Sequence, residues 1–447
     1  MDTLLRAAAD RAAAYLNNLG QRPVFPSSAA VRQLAELGGR LPDSPADPEE
    51  VLGLLDEIGS PATTASAGGR YFGFVVGGSL PVALAANWLA AAWDQNAMSS
   101  VSSPVAAKVE EVVIPWLLEV LHLPKDCAGA LVTGAMMANF TALAAARHFV
   151  LSKHGWNAEA DGLCGSPPVT VIVSEQAHPT LLKAASLLGF GHRRLVRVPV
   201  DEQGSMLADA LPDISGPTIV CIQAGNVNTG AFDPAGEICR KARAAGAWVH
   251  VDGAFGLWAA AAPNRRYLTA GIADADSWAT DAHKWLNVPY DSGIAFVRDR
   301  QSLQAAMMPP VAYLPQGDSR EPWMVTPEAS RRARGIEIWA VLRSLGRSGI
   351  ADLIVRTCGH ATRFANGLRE AGYSVLNDVV LNQVLVSFGS DDKTQRVLAA
   401  VENEGTCWCS TASWHGQTAM RISVSSWATT EDDVERSLSA IRRVARL

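Results

Sequence analysis

The feature that most constrains the fold is a succession of short, apolar, β-branched segments between residues 130 and 297, several of them separated by helix-like stretches. Strands that alternate with helices are typical of a mostly parallel α/β sheet buried on both faces. We therefore predict about seven strands, at residues 130–132, 169–173, 195–198, 218–222, 247–251, 277–280 and 294–297. The spacing before the last of them is too short for a helix, so one strand is expected to run antiparallel.

Length and composition limit the classes of protein that the chain can belong to. It has 447 residues, of which 48% are hydrophobic and 18% charged, and its net charge is −6. This composition excludes a disordered protein, and the lack of a basic surplus argues against a nucleic acid partner. The longest apolar run is too short to cross a membrane. Seven scattered cysteines, without zinc-finger spacing, predict a cytoplasmic protein with no metal site.

The pattern along the chain predicts three parts. Residues 1–85 form a helical N-terminal segment, residues 86–345 a large α/β domain, and residues 346–447 a small α+β domain. A proline-rich segment at 307–327 interrupts the second part, and its length suggests a functional loop.

Residues with possible chemistry follow several of the predicted strands. Asp252 follows one strand, His178 another, and Lys284 a third, while Gly134 and Ala135 form the turn before a helix. Each has an ordinary explanation when taken alone, as a helix cap, a solvated amine or a tight turn. Together they provide an anion cradle, an acid, an aromatic ring and an amine at one sheet edge. That set suits a phosphorylated aromatic cation bound as an imine, such as pyridoxal phosphate.

Five segments carry a resemblance to a known family, the group II pyridoxal-phosphate-dependent amino acid decarboxylases. They are LVTGAMMAN at 131–139, HPTLLK at 178–183, NTGAFD at 228–233, HVDGA at 250–254 and DSWATDAHKWL at 276–286. The family includes the aromatic L-amino acid decarboxylases and has the aspartate-aminotransferase fold, also called fold type I. The resemblance implies that fold, pyridoxal phosphate as cofactor and a homodimer. It also implies decarboxylation of an L-amino acid, with aromatic substrates favoured, to an amine and carbon dioxide.

The resemblance also implies roles for single residues. Lys284 would hold the cofactor as an aldimine and shuttle protons as the quinonoid forms and decays. Asp252 would keep the pyridine nitrogen protonated, and His178 would stack on the ring and contact the substrate carboxylate. Ala254 would pack on the opposite ring face, and Thr229 is a further expected cofactor contact.

The cofactor phosphate is expected to contact the backbone of Gly134 and Ala135 together with Asp281 and His283. Many relatives have Ser or Thr at the position of Met136, so one phosphate hydroxyl is missing from this chain.

Substrate contacts are expected from Tyr71, Phe72 and Arg421, although core packing explains the two aromatic residues equally well. Tyr313 resembles the tyrosine of the family's mobile loop, which donates a proton to Cα. Relatives with phenylalanine there tend to form aldehydes.

Other functions stay open at this point. The same scaffold supports aldehyde-forming oxidation, carbon–carbon or carbon–sulfur lyase reactions and transamination. A nucleotide-binding α/β protein would carry G-x-G-x-x-G or G-x-x-x-x-G-K-[S/T], and neither motif occurs. The presence of both Lys284 and Asp252 argues against a non-catalytic relative.

Overall fold

The computed structural model describes residues 1–308 and 321–446, which group into two compact units. The first unit comprises residues 1–76, 363–376 and 385–447, and the second comprises residues 77–362 and 377–384. The three-part division at residues 85 and 345 stays a prediction. Within the described ranges, we find no helix of the length and apolarity that crossing a lipid bilayer requires.

The secondary structure alternates as expected over most of the chain. The described α-helices are α1 (Asp2–Asn18), α2 (Ser28–Gln33), α3 (Pro48–Gly59), α4 (Pro81–Trp93), α5 (Pro104–Val120), α6 (Ala135–Ser152), α7 (Ala158–Asp161), α8 (Pro179–Leu187), α9 (Ala235–Ala244), α10 (Arg300–Met307), α11 (Gly335–Glu370), α12 (Asp391–Glu404) and α13 (Glu431–Ala445). The described strands are β1 (Tyr71–Phe72), β2 (Ala128–Val132), β3 (Thr170–Ser174), β4 (Val196–Val198), β5 (Thr218–Gln223), β6 (Trp248–Asp252), β7 (Ser277–Asp281), β8 (Gly293–Val297), β9 (Ser374–Val375), β10 (Gln383–Ser387), β11 (Trp408–Trp414) and β12 (Gln417–Ser423).

The second unit is built on a seven-stranded sheet in the order β2-β8-β7-β6-β5-β3-β4. Strands β3 to β7 run parallel to one another, and β8 runs antiparallel to both β2 and β7. Every residue of β2, β5, β6, β7 and β8 is buried, which explains why these strands appear in the sequence as continuous apolar runs. The predictions of seven strands and of one antiparallel strand are confirmed.

Helix α6 packs closely on this sheet because its inner face consists of small residues. Ala138, Ala142 and Ala145 are fully buried, and the helix contacts β6, β7 and β8. Trp248 and Trp278 fill the core on the strands themselves. The close approach of α6 matters for function because its N-terminus lies directly after β2.

The first unit contains most of a five-stranded sheet in the order β1-β11-β12-β10-β9. Strands β9, β10 and β12 agree with short apolar runs in the sequence, whereas β1 and β11 were not predicted. Strand β1 has only two residues, and β11 alternates buried and exposed residues along the polar sequence WCSTASW. Neither segment forms the apolar run that marks a buried strand.

Candidate active site

The carboxyl ends of five strands meet at one edge of the large sheet, and the predicted site residues follow them. β3, β5, β6 and β7 are parallel, and β2 shares their direction because β8 is antiparallel to both β2 and β7. Asp252 and Asp281 are the last residues of β6 and β7. Gly134 lies just beyond β2, and His178 lies between β3 and α8. This is the edge where α/β proteins bind ligands.

The carboxylate of Asp252 is buried, with 5% of the residue exposed. Its Oδ1 accepts a hydrogen bond from the backbone N–H of Ala254 at 3.3 Å, and its Oδ2 accepts one from Nδ2 of Asn139, also at 3.3 Å. Burial raises the pKa of Asp252, while the electrostatic interactions with His178 and Lys284 lower it. The ionised form of this acid therefore depends on the donors and cations around it.

Lys284 lies in the turn that joins β7 to β8, and its backbone is held from several sides. The adjacent Trp285 is buried, and its Nε1–H donates to Oγ1 of Thr357 at 3.0 Å. Asn287 has a φ of 57° and donates from Nδ2 to the carbonyl of Trp285 at 2.7 Å, which closes the turn. The backbone of Gly77 passes so near that a Cβ on it would lie 1.8 Å from the carbonyl oxygen of Lys284. The amine is therefore presented from a fixed backbone.

Asp281 contacts three of the predicted site groups. Its Oδ1 accepts a hydrogen bond from the backbone N–H of Ala135 at 2.5 Å and lies 3.3 Å from Nε2 of His283. Its Oδ2 lies 3.1 Å from Nζ of Lys284. A carboxylate thus lies at the N-terminus of α6, where free N–H groups and the helix dipole favour an anion. The Ala135 N–H that was predicted for the cofactor phosphate is bonded here to the chain's own carboxylate.

The imidazole of His283 is oriented by its two nitrogens. Nδ1 accepts a hydrogen bond from the backbone N–H of Ser292 at 3.1 Å, so the proton lies on Nε2, towards Asp281. The ring stacks on Tyr290 with 4.2 Å between centroids. Burial lowers the pKa of His283, and the charge of Asp281 opposes that shift. Gly134 leaves room for this ring, because a Cβ at that position would lie 3.2 Å from Cε1 of His283.

His178 caps α8 through one ring nitrogen. Its Nδ1 accepts the backbone N–H of Thr180 at 3.3 Å and lies 2.7 Å from Oγ1 of the same residue. The capping bond places the proton of the neutral ring on Nε2. The ordinary role as a helix cap and the predicted stacking role use different parts of the side chain, so they are compatible.

Two further predicted cofactor contacts, Ala254 and Thr229, form hydrogen bonds within the chain. The carbonyl of Ala254 accepts the backbone N–H of Asp281 at 2.9 Å, and its own N–H donates to Asp252, so Ala254 lies at the sheet edge. Thr229 is buried in the loop after β5, and its hydroxyl donates to the carbonyl of Gln203 at 2.6 Å. The hydroxyl proton of Thr229 is therefore used within the loop.

The three predicted substrate residues belong to the first unit. Tyr71 stacks on Trp408 with 5.1 Å between centroids, and burial raises the pKa of Tyr71 to about 12. Phe72 is fully buried and makes an edge contact with Phe364 at 5.0 Å, which is a core contact. Arg421 lies on β12 with 8% exposed, and burial lowers its pKa.

The polar groups of the second unit at this edge fit pyridoxal phosphate. Gln223 is the register partner of Asp252, so both side chains lie on the same face of the sheet. The Gln223 side chain is buried, and its Nε2 has no hydrogen-bond partner within the described ranges. A buried donor without a partner is costly unless a ligand supplies an acceptor. This donor, the acid and the amine of Lys284 suit an aromatic aldehyde with a ring nitrogen.

Comparison with known proteins identifies the family. Residues 33–389 match the family model described as the pyridoxal-dependent decarboxylase conserved domain. The chain belongs to this family. The predictions of the family, of pyridoxal phosphate as cofactor and of an amino acid decarboxylase as the enzyme class are therefore confirmed.

Individual relatives of this decarboxylase act on different amino acids according to their names. It is 27% identical over 353 residues to an aromatic-L-amino-acid decarboxylase of Bacillus atrophaeus, covering 76% of this chain and 71% of the relative. It is 30% identical over 385 residues to an L-2,4-diaminobutyrate decarboxylase of Rhizobium meliloti, covering 81% and 75%. A crystal structure of Oryza sativa TDC with PLP and tryptamine matches with a TM-score of 0.91 at 22% identity, covering 100% of this chain and 97% of that one. This match confirms the predicted fold.

Several residues of the decarboxylase site had no role in the sequence prediction. Asn139 and His250 lie within two of the motifs, and Gln223 ends β5. Asn139 stands out as a polar residue in an alanine-rich helix, and His250 as one in an apolar strand two positions before Asp252. Those contrasts were available in the sequence. The strand register that pairs Gln223 with Asp252 could not be predicted from the sequence.

A first prediction concerns Asp281 at the start of α6. Asp281→Asn keeps an acceptor oxygen for the Ala135 N–H, whereas Asp281→Ala leaves that buried N–H without a partner. We expect Asp281→Ala to lose about 1–3 kcal/mol of unfolding free energy and Asp281→Asn to lose clearly less. Urea unfolding of the cofactor-free protein, followed by circular dichroism, measures both. Equal losses in the two variants would contradict the capping role of Asp281.

Proposed function

We propose that this enzyme decarboxylates an aromatic L-amino acid to the amine and carbon dioxide. The observation that carries the proposal is that three groups follow strand ends at one edge of the large sheet. They are the buried Asp252 carboxylate, the Lys284 amine held 3.1 Å from Asp281, and His178 at the cap of α8. The aromatic preference is supported by relatives named aromatic-L-amino-acid decarboxylase and L-tyrosine/L-DOPA decarboxylase 2.

Each of the predicted cofactor-binding residues has its own role in the proposed reaction. Pyridoxal phosphate, when bound, supplies a conjugated ring that accepts the electron pair left at Cα as carbon dioxide departs. Lys284 would hold the cofactor covalently through Nζ. Asp252, as an ionised acceptor, keeps a proton on the ring nitrogen. His178 packs on one ring face and directs its Nε2–H to the substrate carboxylate, while Ala254 packs on the other.

The phosphate is assigned to the first turn of α6. Gly134 and Ala135 provide backbone N–H groups there, and His283 provides an Nε2–H. Asp281 accepts the Ala135 N–H, lies 3.3 Å from Nε2 of His283 and lies 3.1 Å from Nζ of Lys284, so it would set the position of the amine. Thr229 would act through the loop that its hydroxyl stabilises.

A second substrate class is favoured by one observation. The 30% identical relative from Rhizobium meliloti is named for L-2,4-diaminobutyrate, whose side chain is cationic instead of aromatic. Carbon dioxide release from L-tryptophan, L-tyrosine and L-2,4-diaminobutyrate under the same conditions separates the two classes. Release from diaminobutyrate alone would overturn the aromatic preference and leave the decarboxylase assignment in place.

The covalent link to the cofactor is directly testable. The purified protein should be yellow with pyridoxal phosphate, and borohydride reduction should fix the cofactor to the peptide that contains Lys284. Mass spectrometry of the digest locates the modified residue. Lys183 is the matched control, because it lies in the HPTLLK segment and should stay unmodified. Labelling of another lysine in place of Lys284 would contradict the assignment.

Tyr313 lies outside the described residues, and its role rests on the family resemblance. We propose that its hydroxyl gives the proton that Cα receives after carbon dioxide leaves. Tyr313→Phe should keep carbon dioxide release measurable while lowering the amine yield and raising aldehyde, ammonia and peroxide. Oxygen uptake and product analysis measure this outcome. Amine formation at the parent rate without oxygen uptake would remove the main support for amine formation over the aldehyde-forming alternative.

We also propose a homodimer in the cytoplasm. All seven cysteines are free, which is usual in a reducing compartment. Helix α4 exposes the large apolar side chains of Trp88, Leu89 and Trp93, at 45%, 53% and 46%. Adjacent exposed apolar side chains of this size are typical of a protein–protein interface.

The dimer can be tested on α4. Sedimentation velocity should give a particle of two chains for the parent protein, and Trp88→Glu combined with Trp93→Glu should shift it to one chain. Tyr267→Glu, at an exposed aromatic residue outside α4, serves as the control and should stay dimeric. A parent protein that sediments as a fully active monomer would rule out the dimer.

A further inference from the structure

A continuous series of buried side chains leads through the second unit to Asp252. Nε1 of Trp248 is 2.8 Å from Oγ of Ser277, which is 2.9 Å from Nδ1 of His250. Nε2 of His250 is 2.8 Å from Oδ1 of Asn139. Nδ2 of Asn139 is 3.3 Å from Oδ2 of Asp252. All five residues are buried, so none of these contacts is replaced by bulk water.

The series follows from the strand geometry. Trp248, His250 and Asp252 are alternate residues of β6, so their side chains lie on one face of the sheet. Ser277 is the register partner of His250 on β7, and Asn139 lies on α6, which contacts β6 and β7. The connection to Asp252 is therefore built into register and helix packing.

The chemistry of the two ends fixes the direction of every hydrogen bond. An indole N–H can only donate, so Trp248 donates to Ser277. An ionised carboxylate can only accept, so Asn139 turns its amide nitrogen to Asp252 and its oxygen to His250. Burial lowers the pKa of His250 to about 3, so the ring is neutral with one proton. That proton lies on Nε2, and Nδ1 accepts the hydroxyl proton of Ser277. Each of the four contacts then joins one donor to one acceptor.

If the hydrogen bonds between Ser277 and Asp252 ran in the opposite direction, the hydroxyl proton of Ser277 would have no acceptor in the series. If Asp252 were protonated and donated to Asn139, the amide would flip and His250 would carry its proton on Nδ1. Ser277 would then accept from both Trp248 and His250, and its own hydroxyl proton would have no acceptor among these contacts. An unmet buried donor costs about 1–3 kcal/mol. The series therefore favours the direction in which Asn139 donates to Asp252, and a donated hydrogen bond favours the ionised form of a carboxylate.

We propose that Trp248, Ser277, His250 and Asn139 are positioning residues whose one-directional hydrogen bonds hold Asp252 ionised. The inference rests on the proposed function, in which Asp252 faces the ring nitrogen of the cofactor. It adds to that function a device that sets the protonation of the site before any ligand binds.

Other groups around Asp252 enter the design of the test. His178 and Lys284 lower the pKa of Asp252 by their electrostatic interaction with it, and Cys221, the register partner of His250 on β5, also interacts with Asp252 electrostatically. None of them is altered in the variants below. A change in the protonation of Asp252 can then be attributed to the hydrogen-bond series.

The first measurement uses the full-length protein without cofactor. Infrared difference spectra record the carbonyl band of a protonated buried carboxyl as pH falls, and Asp252→Asn identifies the band. Asn139→Leu should raise the pH midpoint of this band by about one unit, a tenfold change in proton affinity. Thr141→Val is the matched control on α6, because the Thr141 hydroxyl donates only within its own helix, to the carbonyl of Met137. The control should keep the parent midpoint.

A second pair of variants, at His250, tests the same role if Asn139→Leu does not fold. His250→Gln keeps one donor and one acceptor and should keep a midpoint near the parent value, while His250→Leu should raise it. In the loaded enzyme, His250→Leu should weaken pyridoxal phosphate binding about tenfold and lower kcat with KM little changed, and His250→Gln should restore both. Equilibrium dialysis gives the binding constant.

The outcomes separate this inference from the proposed function. Equal midpoints in Asn139→Leu and Thr141→Val, or in His250→Leu and His250→Gln, would overturn the positioning role. Failure of the parent protein to bind pyridoxal phosphate would overturn the proposed function, while the cofactor-free titration would still decide whether the series controls Asp252.

Discussion

The burial of the Asp252 carboxylate is the constraint on which the site depends. Asp252 ends β6, the middle strand of the large sheet, and a carboxylate placed there costs several kcal/mol unless donors and cations meet it. The Ala254 N–H and the Asn139 amide supply the donors, and Lys284 supplies a positive charge. Because the lysine comes from the turn after the neighbouring strand, the two opposite charges are brought together by strand register alone.

Asp281, at the end of the neighbouring strand β7, is a second buried carboxylate that is surrounded by donors and a cation. It gives the N-terminus of α6 an anion and holds the Lys284 amine, so one carboxylate serves a helix and a lysine at once. A phosphate at the same helix end would share these donors with a group of like charge. The His283 Nε2–H and the amine of Lys284 both lie beside Asp281, and they offset the negative charge in this region.

The sequence was sufficient for the large sheet because its strands are buried on both faces and therefore appear as unbroken apolar runs. It was also sufficient for Asp252, His178 and Lys284 as neighbours, since strand ends of a parallel sheet share an edge. It did not predict that the Thr229 hydroxyl bonds to Gln203, or that the Asn139 amide reaches Asp252. Those contacts join residues far apart in the chain, and they depend on register and on the distance between helix and sheet. The two-residue β1 is too short to leave any pattern.

The antiparallel strand β8 has a consequence for how the enzyme acquires its cofactor. Because β8 pairs with β7, the segment that carries Lys284 begins and ends on adjacent strands, and the bonds from Ala282 and His283 to the Ser292 carbonyl continue the ladder into it. The conformational entropy of this segment is therefore lost when the sheet forms, before the cofactor binds. Cofactor binding then orders only the lysine side chain of this segment. The affinity of the cofactor-free enzyme for pyridoxal phosphate is therefore set by the side chains of the site.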